Sequence, residues 1–181
     1  MHNEKFEAFL DRQRERRTAY GNIDVRRKAW LARVEDLYAT VETSLDEYVE
    51  RGKFRIQRGS INAYEDPLGN YKAPTLRLDF GHSDAEFIPV GTYLFGVLGR
   101  VDLVGGRDTL PFVLVAPDAT KPMLAAARGA LRERDATAAY AADLRKVQSF
   151  VWKVSPNPPN IHYRELTETS LTDAIIAVAH G

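Results

Sequence analysis

The chain has no cysteine, only two methionines, no net charge and no long apolar run: 25 Lys plus Arg are cancelled by 25 Asp plus Glu. Without cysteine there can be no disulfide staple, thiolate zinc site, iron–sulfur cluster or cysteine nucleophile. The longest uncharged stretch, Phe87 to Gly99, contains Pro89 and three glycines and stops at Arg100. That falls short of the ~20 apolar residues needed to cross a bilayer, so no membrane association is expected. The first twenty residues carry charges every few positions and lack the apolar run of a secretory signal. Balanced charge supplies no global pull toward nucleic acid or acidic lipid. The motif inventory is also sparse. There is no phosphate-binding glycine loop, dinucleotide fingerprint, His-Glu-x-x-His helix or Gly-x-Ser-x-Gly elbow. Asp79-Phe80-Gly81 matches the metal-binding triplet of protein kinases by coincidence, since the companion motifs are missing.

What is present is enough apolar and aromatic material for a folded core. In 181 residues, 44% are apolar and 18 are Phe, Tyr or Trp, far from the composition of disorder. A cytoplasmic globular chain is the expectation, divided into a helical arm over 1–51 and a β domain over 52–181.

Residues 3 to about 50 read as a long helix or a helix pair, with Gly21-Asn22 offering a C-cap and a new N-cap. In the second part Trp30, Val34, Leu37, Val41, Ser44 or Leu45, and Tyr48 recur at spacings of three and four, which puts one apolar stripe on an amphipathic helix. That stripe must bury against the protein's own sheet or against a partner. Charge along the arm is divided: Arg12 to Lys28 holds seven basic and two acidic residues, and Ala29 to Glu50 holds one basic and six acidic. If a second helix began near Asn22, this order would oppose its macrodipole. Two copies packed antiparallel would instead set basic ends beside acidic ones. Read this way, Trp30, Val34, Leu37, Val41 and Tyr48 form a docking edge.

From Lys53 the period changes to two. Phe54 and Ile56, Ile61 and Ala63, Leu76 with Leu78 and Phe80, Ala85 to Val90, a long strand over Thr92 to Val104, and Thr109 to Ala116 predict an antiparallel meander. Residues 118–148, with ten alanines, predict a helical insertion. Strands resume at Phe150 to Val154 and Ile161 to Leu166, and a helix over 167–179 capped by Thr167 or Thr169 closes the chain. The fold class is α+β, with about seven antiparallel strands in a strongly curved or barrel-like sheet.

Two polar groupings could carry chemistry. Asp79, His82, Asp84 and Glu86 surround one hairpin, where carboxylates and an imidazole could hold a divalent cation, although polar turn chemistry is their ordinary explanation. Arg55, Arg77, Arg100, Lys153 and Arg164, with Asp79 and Asp102, alternate with the apolar residues and so predict a net positive sheet face suited to phosphates or an acidic protein. Arg100 and Asp102 are expected to form cross-strand ion pairs.

The segments Glu65-Asp66-Pro67-Leu68-Gly69-Asn70-Tyr71, Pro89-Val90-Gly91-Thr92 and Gly99-Arg100-Val101-Asp102-Leu103 are similar to the core of small bacterial proteins with no known activity, over about residues 25–116. The resemblance implies a bacterial protein and carries over no catalytic residue. The order of elements also resembles pleckstrin-homology-like barrels, at the level of fold alone. Three functions follow as expectations. The first is a non-enzymatic interaction module of adaptor, immunity or defence-accessory type, acting as a homo-oligomer or in a complex. The second is a nucleic-acid or phosphate-ligand binder using Arg12 to Lys28 and the sheet arginines. The third is a metal-dependent hydrolase or nuclease on Asp79, Asp84, Glu86 and Asp102. No resident cofactor is indicated.

Overall fold

A computed structural model describes residues 4–66, 68–92, 97–122, 149–157 and 161–179. Helix α1 (Glu4–Glu50) leads into strands β1 (Arg55–Glu65), β2 (Gly69–Asp79), β3 (Asp84–Gly91), β4 (Gly99–Gly105), β5 (Thr109–Val115), β6 (Val151–Val154) and β7 (Arg164–Glu165), and helix α2 (Glu168–Ala179) follows. The strands form one antiparallel sheet in sequential order. The fold is α+β as expected, but β1 and β7 are opposite edges and are not paired. The sheet is open, and the expected barrel-like closure is not found.

Helix α1 is continuous over 47 residues, a rod of about 70 Å. The break expected at Gly21-Asn22 does not occur. A glycine inside a helix costs only about 1 kcal/mol relative to alanine, which the hydrogen-bonded turns on either side outweigh. Continuity also removes the dipole conflict at Arg26 to Lys28, which now lie in mid-helix. The real stop is Gly52, whose φ of 67° is left-handed. Gly52 N donates to Val49 O at 2.8 Å and Lys53 N to Tyr48 O at 3.0 Å, the paired bonds of a Schellman cap.

The alternation of the strands builds the core. Across the sheet Leu76 lies opposite Phe87, Phe87 opposite Leu103, Leu103 opposite Leu110, Val101 opposite Phe112, and Phe112 opposite Val154. Onto this face pack Trp30, Val34, Leu37, Tyr38, Val41 and Leu45 of α1, and Leu171, Ala174, Ile175 and Val178 of α2, as one cluster. Four of the five residues read as a docking edge (Trp30, Val34, Leu37 and Val41) are therefore interior, each no more than 2% exposed; Tyr48 alone is open, at 39%. The period-3.6 stripe found its apolar partner within the chain. Tyr38 is buried with them, its hydroxyl 3.0 Å from Pro74 O and 3.1 Å from Phe87 O, and burial is the main reason its pKa is raised.

Strand limits depart from the alternation in two places. The long strand expected over Thr92 to Val104 is β4 from Gly99, and residues 93–96 lie outside the described residues. The register shifts between Pro89 and Gly91, where Pro89 has no N–H to give the ladder. The last strand shrinks to Arg164–Glu165. Within the expected insertion, residues 118–122 hold the end of a turn and a bend and no helix, and 123–148 lie outside the described residues. At α2 the cap is Thr167: its Oγ1 accepts from Ser170 N at 3.1 Å, and Ser170 Oγ accepts from Thr167 N at 2.9 Å, a reciprocal capping box.

Two glycines fix how closely the helices approach. A Cβ on Gly99 would lie 2.3 Å from Trp30 Cζ3, and one on Gly105 2.3 Å from the Val178 carbonyl oxygen. Gly99→Ala and Gly105→Ala should each destabilise the protein by about 1–3 kcal/mol through overpacking. Gly106→Ala, where a Cβ meets nothing within 4 Å, should stay within about 0.5 kcal/mol. Urea unfolding of the three variants checks this.

Candidate functional site

Each cation of the expected positive sheet face meets a carboxylate, though not all of them lie on that face. Asp79 and Asp84 stand directly opposite one another, an arrangement that like charge disfavours. Arg55 Nη2 meets Asp79 at 2.8 Å and Arg77 Nη2 meets Asp84 at 2.8 Å, so the strain is relieved. The Arg100 guanidinium grips Asp102 with Nε at 2.6 Å and Nη2 at 2.9 Å. This pair is bidentate and runs along one strand, where a cross-strand pair was expected. Arg164 does not belong to this face: it stands opposite Val154, on the helix-bearing side of the sheet, 3.9 Å from Asp173 of α2. The face is a mosaic of neutralised pairs.

Lys153 is not a surface cation. It is 3% exposed, and its ammonium donates to Pro117 O at 2.7 Å and Ala119 O at 3.0 Å and pairs with Glu165 at 2.6 Å. Three donors meet three acceptors. Lys153 sits opposite Val113 in the ladder, so these bonds tie residues 117–119 over that end of the sheet. Val113 and Val115 are buried there too, and both faces of β5 are covered, as the unbroken apolar run predicted. Tyr163 N donates to Thr120 O at 2.8 Å and closes the same flap.

The Asp79, His82, Asp84 and Glu86 grouping does not converge. Asp79 accepts from Gly81 N at 2.9 Å and from Arg55, and these bonds, the backbone one first, hold its pKa below the usual value. Asp84 is taken by Arg77, Glu86 stands opposite Arg77 in the register, and His82 is exposed in the turn. Among the described residues no three His, Cys, Asp or Glu side chains gather as a metal site. A shallow apolar depression of about 220 Å³ between Phe80, Ser83, Ile175, Ile176 and Ala179 offers one hydroxyl and no ionisable group.

Two polar clamps escaped the sequence reading. Arg58 reaches from β1 to α1, with Nε and Nη2 on Glu42 at 2.7 Å each and Nη1 on Glu35 at 2.5 Å. The bond to Arg58 is the chief reason the Glu42 carboxyl titrates low. At the tip of the β1–β2 hairpin, the Glu65 carboxylate accepts from Thr92 N at 2.6 Å, from Thr92 Oγ1 and from Tyr71 OH at 3.0 Å. Arg27 donates to Leu68 O and lies 6.0 Å over the Tyr71 ring. These contacts dock the hairpin tip onto α1 and onto the end of β3.

The N-terminal end of α1 carries a group of exposed large apolar side chains. Of the side chains described before Arg26 (6, 7, 9–11 and 23–25), none is buried, and the helix from Glu4 to Val25 measures about 33 Å. Phe6, Phe9 and Leu10 are 56%, 48% and 44% exposed there. The Phe6 and Phe9 rings stack at 6.2 Å. Their i, i+3, i+4 spacing is the signal that could have found them, but it spans barely one turn amid charges. Among the described residues no helix is long and apolar enough to cross a membrane.

No family model, curated protein or solved structure matches the chain.

Two outcomes follow. Lys153→Met strands two carbonyl groups and should cost about 2–4 kcal/mol, while Arg77→Ala, whose ion pair is exposed, should cost under about 0.5 kcal/mol; denaturant unfolding separates them. Because Glu42 and Asp79 titrate lower in the folded chain than their usual values of 4.5 and 3.8, their contribution is present above those values and lost as pH falls through the depressed ones. Thermal stability should be level from about pH 5 to 8 and decline below about pH 4. In Arg58→Gln the acid decline should be shallower, because Glu42 no longer titrates low.

Proposed function

We propose that this protein is a non-enzymatic protein-interaction module of adaptor type, and that the docking element is the free end of α1 rather than the Trp30 to Tyr48 stripe. The observation that carries the reading is the exposure of Phe6, Phe9 and Leu10 together on a helix that is anchored elsewhere by its own core. Monomeric proteins rarely display clustered large apolar side chains without a use for them. An amphipathic helix offering anchors at i, i+3 and i+4 is a standard recognition element. Aromatic residues are also over-represented among the anchors that dominate association energy.

The arrangement separates folding from docking. The stripe from Trp30 to Leu45 holds the helix to the sheet, and the same helix continues outward with a second apolar group that the core does not use. Nucleic-acid binding gains little from the sheet, whose arginines are matched by carboxylates.

The variant Phe6→Ser/Phe9→Ser/Leu10→Ser tests the reading. Its melting temperature should stay within about 2 °C of the parent, since exposed substitutions change stability little. Its association, measured by light scattering for self-assembly and by crosslinking with identified partners, should fall at least tenfold. Unchanged association would refute the assignment of the docking element.

A further inference from the structure

We infer that the free edge of the sheet is a second contact surface, separate from the end of α1, and that its occupant is a second copy of this chain: two β1 strands pair antiparallel about a two-fold axis at Ser60. The backbone carries the first step. Among the described residues β1 is the last strand on its side of the sheet, so one row of its N–H and C=O groups is left without a ladder partner. Edge strands are ordinarily kept short, or are interrupted by proline, lysine or a bulge. The opposite edge follows that rule, since β7 has two residues. β1 has eleven, with no proline and no lysine, and its register against β2 runs without a shift from Arg55 to Glu65. Its two arginines are matched by Asp79 and by Glu35 and Glu42 of the same chain, so neither leaves an unpaired charge to repel a neighbour. Gln57, Gly59, Ser60, Asn62 and Tyr64 are exposed along the strand.

Antiparallel geometry leaves few registers. Outward-pointing backbone groups belong to alternate residues, so residues that face each other across the axis must both be even or both odd. Matching residue i with residue 120 − i of the other copy keeps every position of β1 opposite a β1 position. One allowed step either way leaves two positions facing residues outside the strand. In the full register Tyr64, 72% exposed, faces the half-buried Ile56, an aromatic ring against a β-branched side chain, and Ile61 lies opposite the bare Gly59. Arg55 faces Glu65 and Arg58 faces Asn62, so no like charges meet. An axis at Arg58 would instead set two guanidinium groups against each other. Even residues stay with even ones, so the helix-bearing faces of the two sheets share a side. The contact is isologous, as a two-fold pair requires.

The full chain, which has no native cysteine, carries the test. At the axis position 60 faces its own copy with Cβ atoms about 4.5–5.5 Å apart, so Ser60→Cys should give a covalent dimer with a short bismaleimide. Gln57→Cys, whose copies would stand about 20 Å apart, should not. Ser60→Lys and Ser60→Glu each set like charges opposite one another and should each weaken dimerisation at least tenfold by light scattering. Their melting temperatures should stay within about 2 °C of the parent, because position 60 is exposed. An equimolar mixture of the two variants should recover the parent's dimer, since each lysine then faces a glutamate. A parent that stays monomeric at high micromolar concentration overturns the proposal, as does a mixture no more associated than either variant alone, or equal crosslinking through positions 57 and 60. A monomeric parent that binds a foreign extended segment, and loses it in Ser60→Lys, would assign the edge to that segment and remove the self-pairing. The end of α1 is read separately, in the Ser60→Lys background, where the edge no longer contributes. A dimer kept by Ser60→Lys and lost in Phe6→Ser/Phe9→Ser/Leu10→Ser would belong to α1 and overturn the pairing of β1, whereas the reverse result supports it.

Discussion

An open sheet must have its apolar face covered, and here the cover is the middle of one long helix. Six α1 side chains from Trp30 to Leu45 meet a ladder of Leu, Phe and Val drawn from five strands. Each such burial is worth about 1.5–3 kcal/mol, so together they rival the ~5–15 kcal/mol by which an ordinary domain is stable. A partner that used this stripe would have to replace the chain's own sheet at comparable strength. The stripe is thereby committed to folding, and the interaction role proposed above falls to the part of the helix beyond it.

The polar contacts follow from the same packing. Seating α1 across the sheet brings Arg58 of β1 beneath Glu35 and Glu42, and brings Arg27 and the hairpin tip together around Tyr71 and Glu65. On the far face the antiparallel register sets Asp79 against Asp84, and Arg55, directly opposite Asp79 on β1, and Arg77, diagonal to Asp84 on β2, compensate. Exposed pairs of this kind add little stability individually. Their effect is to neutralise a face that, taken strand by strand, looks cationic. Lys153 shows the stronger version, a buried ammonium whose three acceptors staple a flap over β5 and β6.

How much of this could be read from sequence depended on whether the deciding interaction was local. The Trp30 to Leu45 stripe, the alternation of Leu76 and Leu78, the doubly buried run of β5 and the Thr167 cap are local periodicities or spacings, and they were legible. What covers the stripe is a tertiary fact, and the same periodicity serves a docking seam or a core. The break expected at Gly21-Asn22 failed because residue preference there is worth about 1 kcal/mol against the cooperativity of a helix already formed on both sides. Pairing partners were illegible for the same reason: Lys153 reads as one more polar residue in an alternating strand, and only the path of residues 117–119 makes it interior. Phe6, Phe9 and Leu10 were overlooked because three residues do not establish a period.

A helix held by its middle is a lever of fixed direction. The core sets its axis from Arg26 onward, and the helical hydrogen bonds carry that direction through the preceding 22 residues. A docking group at the end of such a rod is already oriented before it meets anything, and much of the ordering cost of association is thereby avoided. The same three side chains on an unstructured tail would have to be fixed residue by residue, at about 1–2 kcal/mol each for the backbone alone. On the proposed reading, the energy that builds the core therefore also orients the docking group, although no residue belongs to both. Substitutions in the stripe should damage recognition only by way of folding, whereas those at the tip leave folding alone, and that separation is the physical content of calling α1 an arm.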